Sequence, residues 1–302
     1  MTRQFLLALS RQAWMRKWAE TSGAFRKFTQ RFVAGETLEE ALAVCARLAS
    51  TNYLSSIDHL GENVNSIAEA AAARDAYLEA LDQIAAHGLT STISLKLTQM
   101  GLDFSEDACL DNVRALVQRA SSAGTRIEID MESTAYTDRT LSVVEKIAGE
   151  CGCVRAVIQA YLFRSAADIE RMNRARIPVR LCKGAYLEPE TAAYAEKVDV
   201  DRNYLALMKT LLDHGTYPAL ATHDEQIHGE ALRYARERGL GKDRFEFQML
   251  YGIRRDLQKR LVDQGYRVRL YIPYGTAWYP YFMRRLAERP ANLLFLIRNI
   301  FR

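Results

Sequence analysis

Short apolar runs recur along the chain, separated by longer stretches with a helical repeat. Eight runs stand out: 52–58 (NYLSSID), 92–97 (TISLKL), 126–131 (RIEIDM), 154–161 (VRAVIQAY), 177–183 (IPVRLCK), 217–223 (YPALATH), 244–250 (RFEFQML) and 266–273 (YRVRLYIP). Most are rich in β-branched and aromatic residues, and all are short enough for buried strands. Between them the apolar positions return every three or four residues. Leu38, Ala41, Leu42, Cys45 and Leu48 form one such face. Ser105 is placed to cap a helix that runs to Gly124. Ala108 stands at the third position after the serine, so the capping box is incomplete. Glu106 and Asp107 still set negative charge in the first turn, where the helix dipole favours it.

Strands that alternate with helices imply parallel βα units, so the fold class is α/β. Eight units close naturally into a (βα)8 barrel of the TIM type. A doubly wound open sheet is the rival. It normally carries a glycine-rich phosphate loop after its first strand, and IDHLGENVNS has a single glycine. No linker-like stretch divides the chain. We therefore expect one domain over 1–302, with a helical arm over 1–30 and the barrel over 31–302.

Composition changes this picture little. The 302 residues are 49% hydrophobic and 26% charged, an ordinary globular balance. A net charge of +4 is too weak to suggest nucleic acid. The five cysteines include a Cys151-x-Cys153 pair, but no second pair and no nearby histidine completes a zinc site. An odd count without a secretory signal points to reduced thiols and a cytoplasmic setting. Residues 1–31 carry seven Lys/Arg against one Glu. Their apolar core, FLLAL, is far too short to span a bilayer. An amphipathic helix lying on the main domain is the favoured reading; a basic membrane-surface helix is the other.

In a barrel of this kind the chemistry sits at the C-terminal ends of the strands. Those ends offer Asp58 and Glu62, Lys96, Asp130 and Glu132, Gln159 and Tyr161, Arg180, Lys183 and Gly184, Thr222, His223 and Asp224, Gln248, and Tyr271. Lys96 and Asp130 fall inside apolar runs, where charge needs a partner. They form either a structural ion pair across the second and third strands or a polarised pair beside a ligand. In RLCKGAY, Arg180 and Lys183 supply positive charge and Gly184 permits close backbone approach, which suits an anionic or electron-rich cofactor. His223 reads equally as a buried structural histidine or a catalytic one. Arg284 and Arg285 are adjacent, and adjacent helical positions diverge by roughly 100°. They converge on a ligand only if the last helix lies across the barrel mouth. Otherwise they form a solvated face, with Glu288 as a surface partner. Strand-end lysines 96 and 183 also admit a Schiff-base aldolase, and a non-catalytic binding barrel is a further reading.

Six ordered motifs narrow these choices: SLKLTQMGLD, IEIDME, RLCKGAY, ATHD, FEFQMLYG and YIPYGTAWYPYFMRRLAERPANLLFLIRN. Together they resemble proline dehydrogenase, in its short single-function bacterial form, from about residue 30 to the C-terminus. The resemblance implies a distorted (βα)8 barrel holding FAD, with an extra N-terminal helix and a final helix over the mouth. It implies oxidation of L-proline to 1-pyrroline-5-carboxylate, with electrons passed to a membrane quinone.

Carried over by motif, Lys96, Asp130, Tyr271, Arg284 and Arg285 resemble proline-site residues, and Leu250 resembles an apolar wall of that pocket. Met131, Gln159, Arg180, Lys183, Gly184, Ala185, Thr222, His223, Gln248 and Glu288 resemble the FAD site. Asp130 and Arg180 are the expected catalytic pair, and Glu62 resembles an acid that pairs with Arg284. Cys182 departs from an expected valine. Leu187 departs from a tryptophan of longer members, which puts stacking on the adenine in doubt. The resemblance further implies a separate pyrroline-5-carboxylate dehydrogenase downstream. The enzyme is then expected in the cytoplasm, where segment 292–302 either packs on the barrel or contacts the inner face of the membrane.

Overall fold

The computed structural model describes residues 31–61, 64–279 and 281. Eight parallel strands close into a barrel in chain order: β1 (Leu54–His59), β2 (Thr92–Leu95), β3 (Ile127–Ile129), β4 (Val154–Gln159), β5 (Val179–Cys182), β6 (Ala219–Ala221), β7 (Glu246–Leu250) and β8 (Val268–Tyr274). The barrel seam pairs β8 with β1 over six residues, from Leu54 opposite Arg269 to His59 opposite Tyr274. Each strand falls within or beside one of the eight apolar runs. Most are shorter than the runs. Lys96 and Asp130 therefore sit one residue beyond β2 and β3 rather than inside them.

The helices are α1 (Leu38–Ala49), α2 (Ile67–Ala86), α3 (Glu106–Ser122), α4 (Thr134–Cys151), α5 (Ser165–Arg174), α6 (Lys197–His214), α7 (Glu225–Glu237) and α8 (Arg255–Asp263). Their starts are locally encoded. Thr37 and Glu40 form a full capping box on α1. Ser66, Ser105 and Asp224 each accept a backbone N–H of the following helix. Gly124, Gly152, Gly239 and Gly265 stand just after α3, α4, α7 and α8 with positive φ, where the chain leaves the helix at no steric cost.

Side chains alternate across each strand. One set, including Ile57, Ile93, Leu95, Ile127, Ile129, Val179, Leu181, Phe247 and Leu270, joins the apolar core shared with the helices. The other set fills the barrel and is largely polar. Glu128, Arg155, Arg180, Glu246, Gln248 and Arg269 are all buried there. A barrel interior more often holds branched aliphatic layers. Here a charge network replaces them. The expected N-terminal arm, and the expected last helix with Arg284, Arg285 and Glu288, lie outside the described residues, as does Glu62.

Candidate active site

The network becomes a site at the C-terminal mouth. Asp130 accepts from four donors. Ser94 Oγ and Arg180 Nη1 reach one oxygen at 2.9 and 2.6 Å. Tyr271 OH and Lys96 Nζ reach the other at 2.8 and 3.4 Å. Burial pushes the Asp130 carboxyl up, but Lys96 and Arg180 outweigh it and hold the pKa below the ordinary value. Burial also raises Tyr271 well above the usual phenol range, with Asp130 adding to it, so the hydroxyl stays a donor. The Arg180 guanidinium lies 5.5 Å from the Tyr271 ring centroid.

Arg180 is held from below as well. Its Nη2 donates to Glu128, which also accepts from Thr92, Arg155 and Gln248. Arg155 and Arg269 both donate to Glu246, at 2.7 and 2.9 Å, and Gln248 donates to the same oxygen at 2.7 Å. Burial opposes charge on Arg180, yet Glu128 and Asp130 raise its pKa, so it remains a cation. Its Nε–H is buried without an acceptor among the described residues.

A second group of expected residues gathers around the ends of β4 to β7. Gln159 donates to the Glu132 carbonyl at 2.9 Å and accepts the Ala185 N–H at 3.4 Å. Lys183 bridges Asp201 and Asp224 at 2.5 and 2.9 Å. Gly184 has φ +118°, and a Cβ there would fall 2.2 Å from the Tyr161 ring. Thr222 Oγ1 accepts the Asp224 N–H, and His223 Nε2 accepts the Leu250 N–H at 2.9 Å. The latter bond puts the His223 proton of the neutral ring on Nδ1. Met131 is buried, Leu250 is half-buried, and Leu187 is exposed.

The structure thus brings Lys96, Asp130, Arg180 and Tyr271 into one cluster. It places Gln248 deeper, on the two buried glutamates, and holds Gln159, Lys183, Gly184, Ala185, Thr222 and His223 along the adjoining rim. Sequence reasoning missed Ser94, Glu128, Arg155, Asp201, Glu246 and Arg269. A signal existed for three of them. Glu128 and Asp130, Glu246 and Gln248, and Arg269 and Tyr271 are each two apart on a strand, hence on one face.

A (βα)8 barrel with a preorganised charge cluster at its C-terminal mouth is an enzyme architecture. The family model described as "Proline dehydrogenase" matches residues 41–298. The chain belongs to the proline dehydrogenase family, oxidoreductases that take the first step of proline catabolism. It is 41% identical over 300 residues to proline dehydrogenase 1 of Bacillus subtilis (strain 168), covering 99% of each chain. It is 42% identical over 276 residues to proline dehydrogenase of Deinococcus radiodurans, covering 90% of this chain and 89% of that one. Against the bifunctional protein PutA of Escherichia coli (strain K12) identity is 29% over 321 residues, 91% of this chain and 24% of that protein. A crystal structure of PutA from Bdellovibrio bacteriovorus inactivated by N-propargylglycine superposes with TM-score 0.81 at 28% identity, covering 87% of this chain and 32% of that one.

Proposed function

We propose that the protein oxidises L-proline to 1-pyrroline-5-carboxylate with FAD as its cofactor and a membrane quinone as the final acceptor. The observation that carries this reading is the cluster of Lys96, Asp130, Arg180 and Tyr271 at the barrel mouth, beside the rim that the family motifs associate with flavin. The residues present fit such a group. Arg180 offers a buried N–H without an acceptor among the described residues, from a guanidinium that stays charged. That suits an electron-rich ring edge that gains negative charge. Met131, Gln159, Arg180, Lys183, Gly184, Ala185, Thr222, His223, Gln248 and Glu288 would hold it. When bound, FAD supplies the two-electron acceptor for the hydride.

The chain's own residues bind and orient proline. Lys96 presents its ammonium to the carboxylate, and Asp130 fixes that ammonium in place. Arg284 and Arg285 add charge-assisted hydrogen bonds, each worth roughly 1.5–3 kcal/mol. Tyr271 and Leu250 wall the ring. A cationic environment also favours the neutral amine, whose lone pair assists loss of hydride from the adjacent carbon. As the hydride leaves, a C=N bond forms and the nitrogen proton is released, so proline gives up two electrons. The quinone takes those electrons as quinol.

Anaerobic addition of L-proline to the purified protein tests the reading. The oxidised flavin bands should bleach, and a quinone analogue should restore them. A protein that is colourless and takes up no FAD would remove the proposal. A Schiff-base aldolase needs an uncharged lysine, and both candidates are held by carboxylates: Lys96 by Asp130, Lys183 by Asp201 and Asp224. Borohydride trapping should therefore leave no adduct. Among the described residues no helix is long and apolar enough to cross a membrane. Contact with the quinone's membrane would be peripheral, through segments 1–31 or 292–302, and cosedimentation with vesicles measures it. Absence of binding at low and high salt alike would leave those segments to packing.

A further inference from the structure

The N-terminal end of the barrel, opposite the mouth, carries a cavity of about 550 Å³. Asn52, Thr125, Arg126, Tyr217, Arg267 and Arg269 are among the residues that line it. Three guanidinium groups crowd one ring there. Arg126, Arg155 and Arg267 lie 5.5, 5.4 and 5.4 Å from the Tyr217 centroid. Their partners differ. Arg155 is bonded to Glu128, Glu246 and the Tyr217 carbonyl. Arg269 is bonded to Glu246 and the Ser55 carbonyl. Arg267 is exposed, donates to the Tyr217 hydroxyl at 3.1 Å and feels Asp243. Arg126 is half-buried and stacks on Tyr217, yet its guanidinium meets no carboxylate and no hydrogen-bond acceptor among the described residues.

Burial depresses the Arg126 pKa, and repulsion from Arg155 adds to it against the opposing pull of Glu128 and Glu246. Four guanidiniums thus stand around two buried carboxylates that are already bonded, one of them shared with Arg180. A partly buried cation without an acid is unfavourable. A concave surface with excess positive charge and low-dielectric walls concentrates anions. Guanidinium forks match the oxygens of a tetrahedral oxyanion, and a dianion accepts two forks at once. We propose that this cavity binds a small phosphate-class oxyanion between Arg126 and Arg267. The ligand is free phosphate or the head of a phosphomonoester, and the cavity has room for a small organic group beside it. The site is separate from the chemistry at the mouth and does not depend on it.

Calorimetric titration of the purified full-length protein tests this, with excess FAD present to fill any flavin phosphate site. The probes are inorganic phosphate and phenyl phosphate, against sodium chloride at matched ionic strength. At least one should bind saturably. Arg126→Gln should weaken binding by about 10-fold or more, the loss of one charge-assisted fork. Arg267→Gln, at an exposed position, should weaken it too and carries the test if the first variant does not fold. Tighter binding of phenyl phosphate would identify an organic phosphate as the source, and equal binding would identify free phosphate. No saturable binding of either probe, or binding untouched by the variants, overturns the proposal.

Discussion

A single carboxylate shows how the mouth is built. Asp130 takes four donors from three strands, two of them from its neighbour β2, so its charge is balanced before any ligand arrives. Such preorganisation is what a site needs to orient a small, rigid substrate without paying reorganisation in each turnover. The proposed carboxylate clamp is tested at the same scale. Replacing Arg284 or Arg285 by methionine keeps much of the apolar stem and removes the charge. Turnover efficiency for proline should fall roughly 10-fold or more, matching loss of one charge-assisted hydrogen bond. Pyrrolidine, the same ring without the acid, should lose much less. Steady-state kinetics with both substrates decides. Equal losses would assign the arginines to the cofactor or the fold, and no loss would return them to a solvated face.

At the level of elements, α7 is joined to β6 and β7 by His228. Its Nε2 donates to the Thr222 carbonyl at 2.9 Å, and its ring lies 4.8 Å from Phe247. The Nδ1 is buried without a partner among the described residues, so a second proton there would be an unaccepted charge. Burial accordingly pulls the pKa from the usual 6.5 down to about 4, against the opposing pull of the Thr222 carbonyl and Asp224. The charges of Asp224, Glu225 and Arg254 also reach the ring, the two acids favouring its proton and the arginine opposing it. Between these two values the unfolded chain binds a proton that the folded chain refuses. Stability is therefore complete above the unfolded value and falls as pH drops through the window. The full effect is on the order of 3 kcal/mol. Denaturant midpoints from pH 7 to 4.5 should fall for wild type and fall visibly less for His228→Gln. Because Thr222 is a proposed cofactor contact, flavin retention should track the same window.

The whole molecule depends on a charged barrel interior. Glu128, Arg155, Glu246 and Arg269 are each buried, and each bonds across strands. Three arginines lower the Glu128 pKa below the ordinary range despite burial, and Arg269 and Arg155 do the same for Glu246. Breaking such a network from one side leaves buried charge unmatched. Glu246→Ala should cost about 3–5 kcal/mol, because Arg155 and Arg269 lose their shared acid and face each other. Urea unfolding measures it. A change below about 1 kcal/mol would mean that water or relaxation replaces the acid.

The barrel was legible in the sequence because eight short apolar runs, separated by helical repeats, admit few architectures. Helix starts at Ser105 and glycine stops at Gly124, Gly239 and Gly265 are local backbone chemistry, and local chemistry is written in local residues. The mouth candidates Lys96, Asp130, Arg180 and Tyr271 were legible too, since strand ends of a barrel converge. What the tertiary structure alone decided is which charges meet. Glu128 and Gln248 are 120 residues apart, and Arg155 and Glu246 are 91 apart. No spacing rule joins them; closure of the barrel does. It also decides the imbalance at Arg126. An arginine before a strand looks ordinary in one dimension, and only the folded barrel sets three guanidiniums around a single tyrosine ring, with one of them short of an acid.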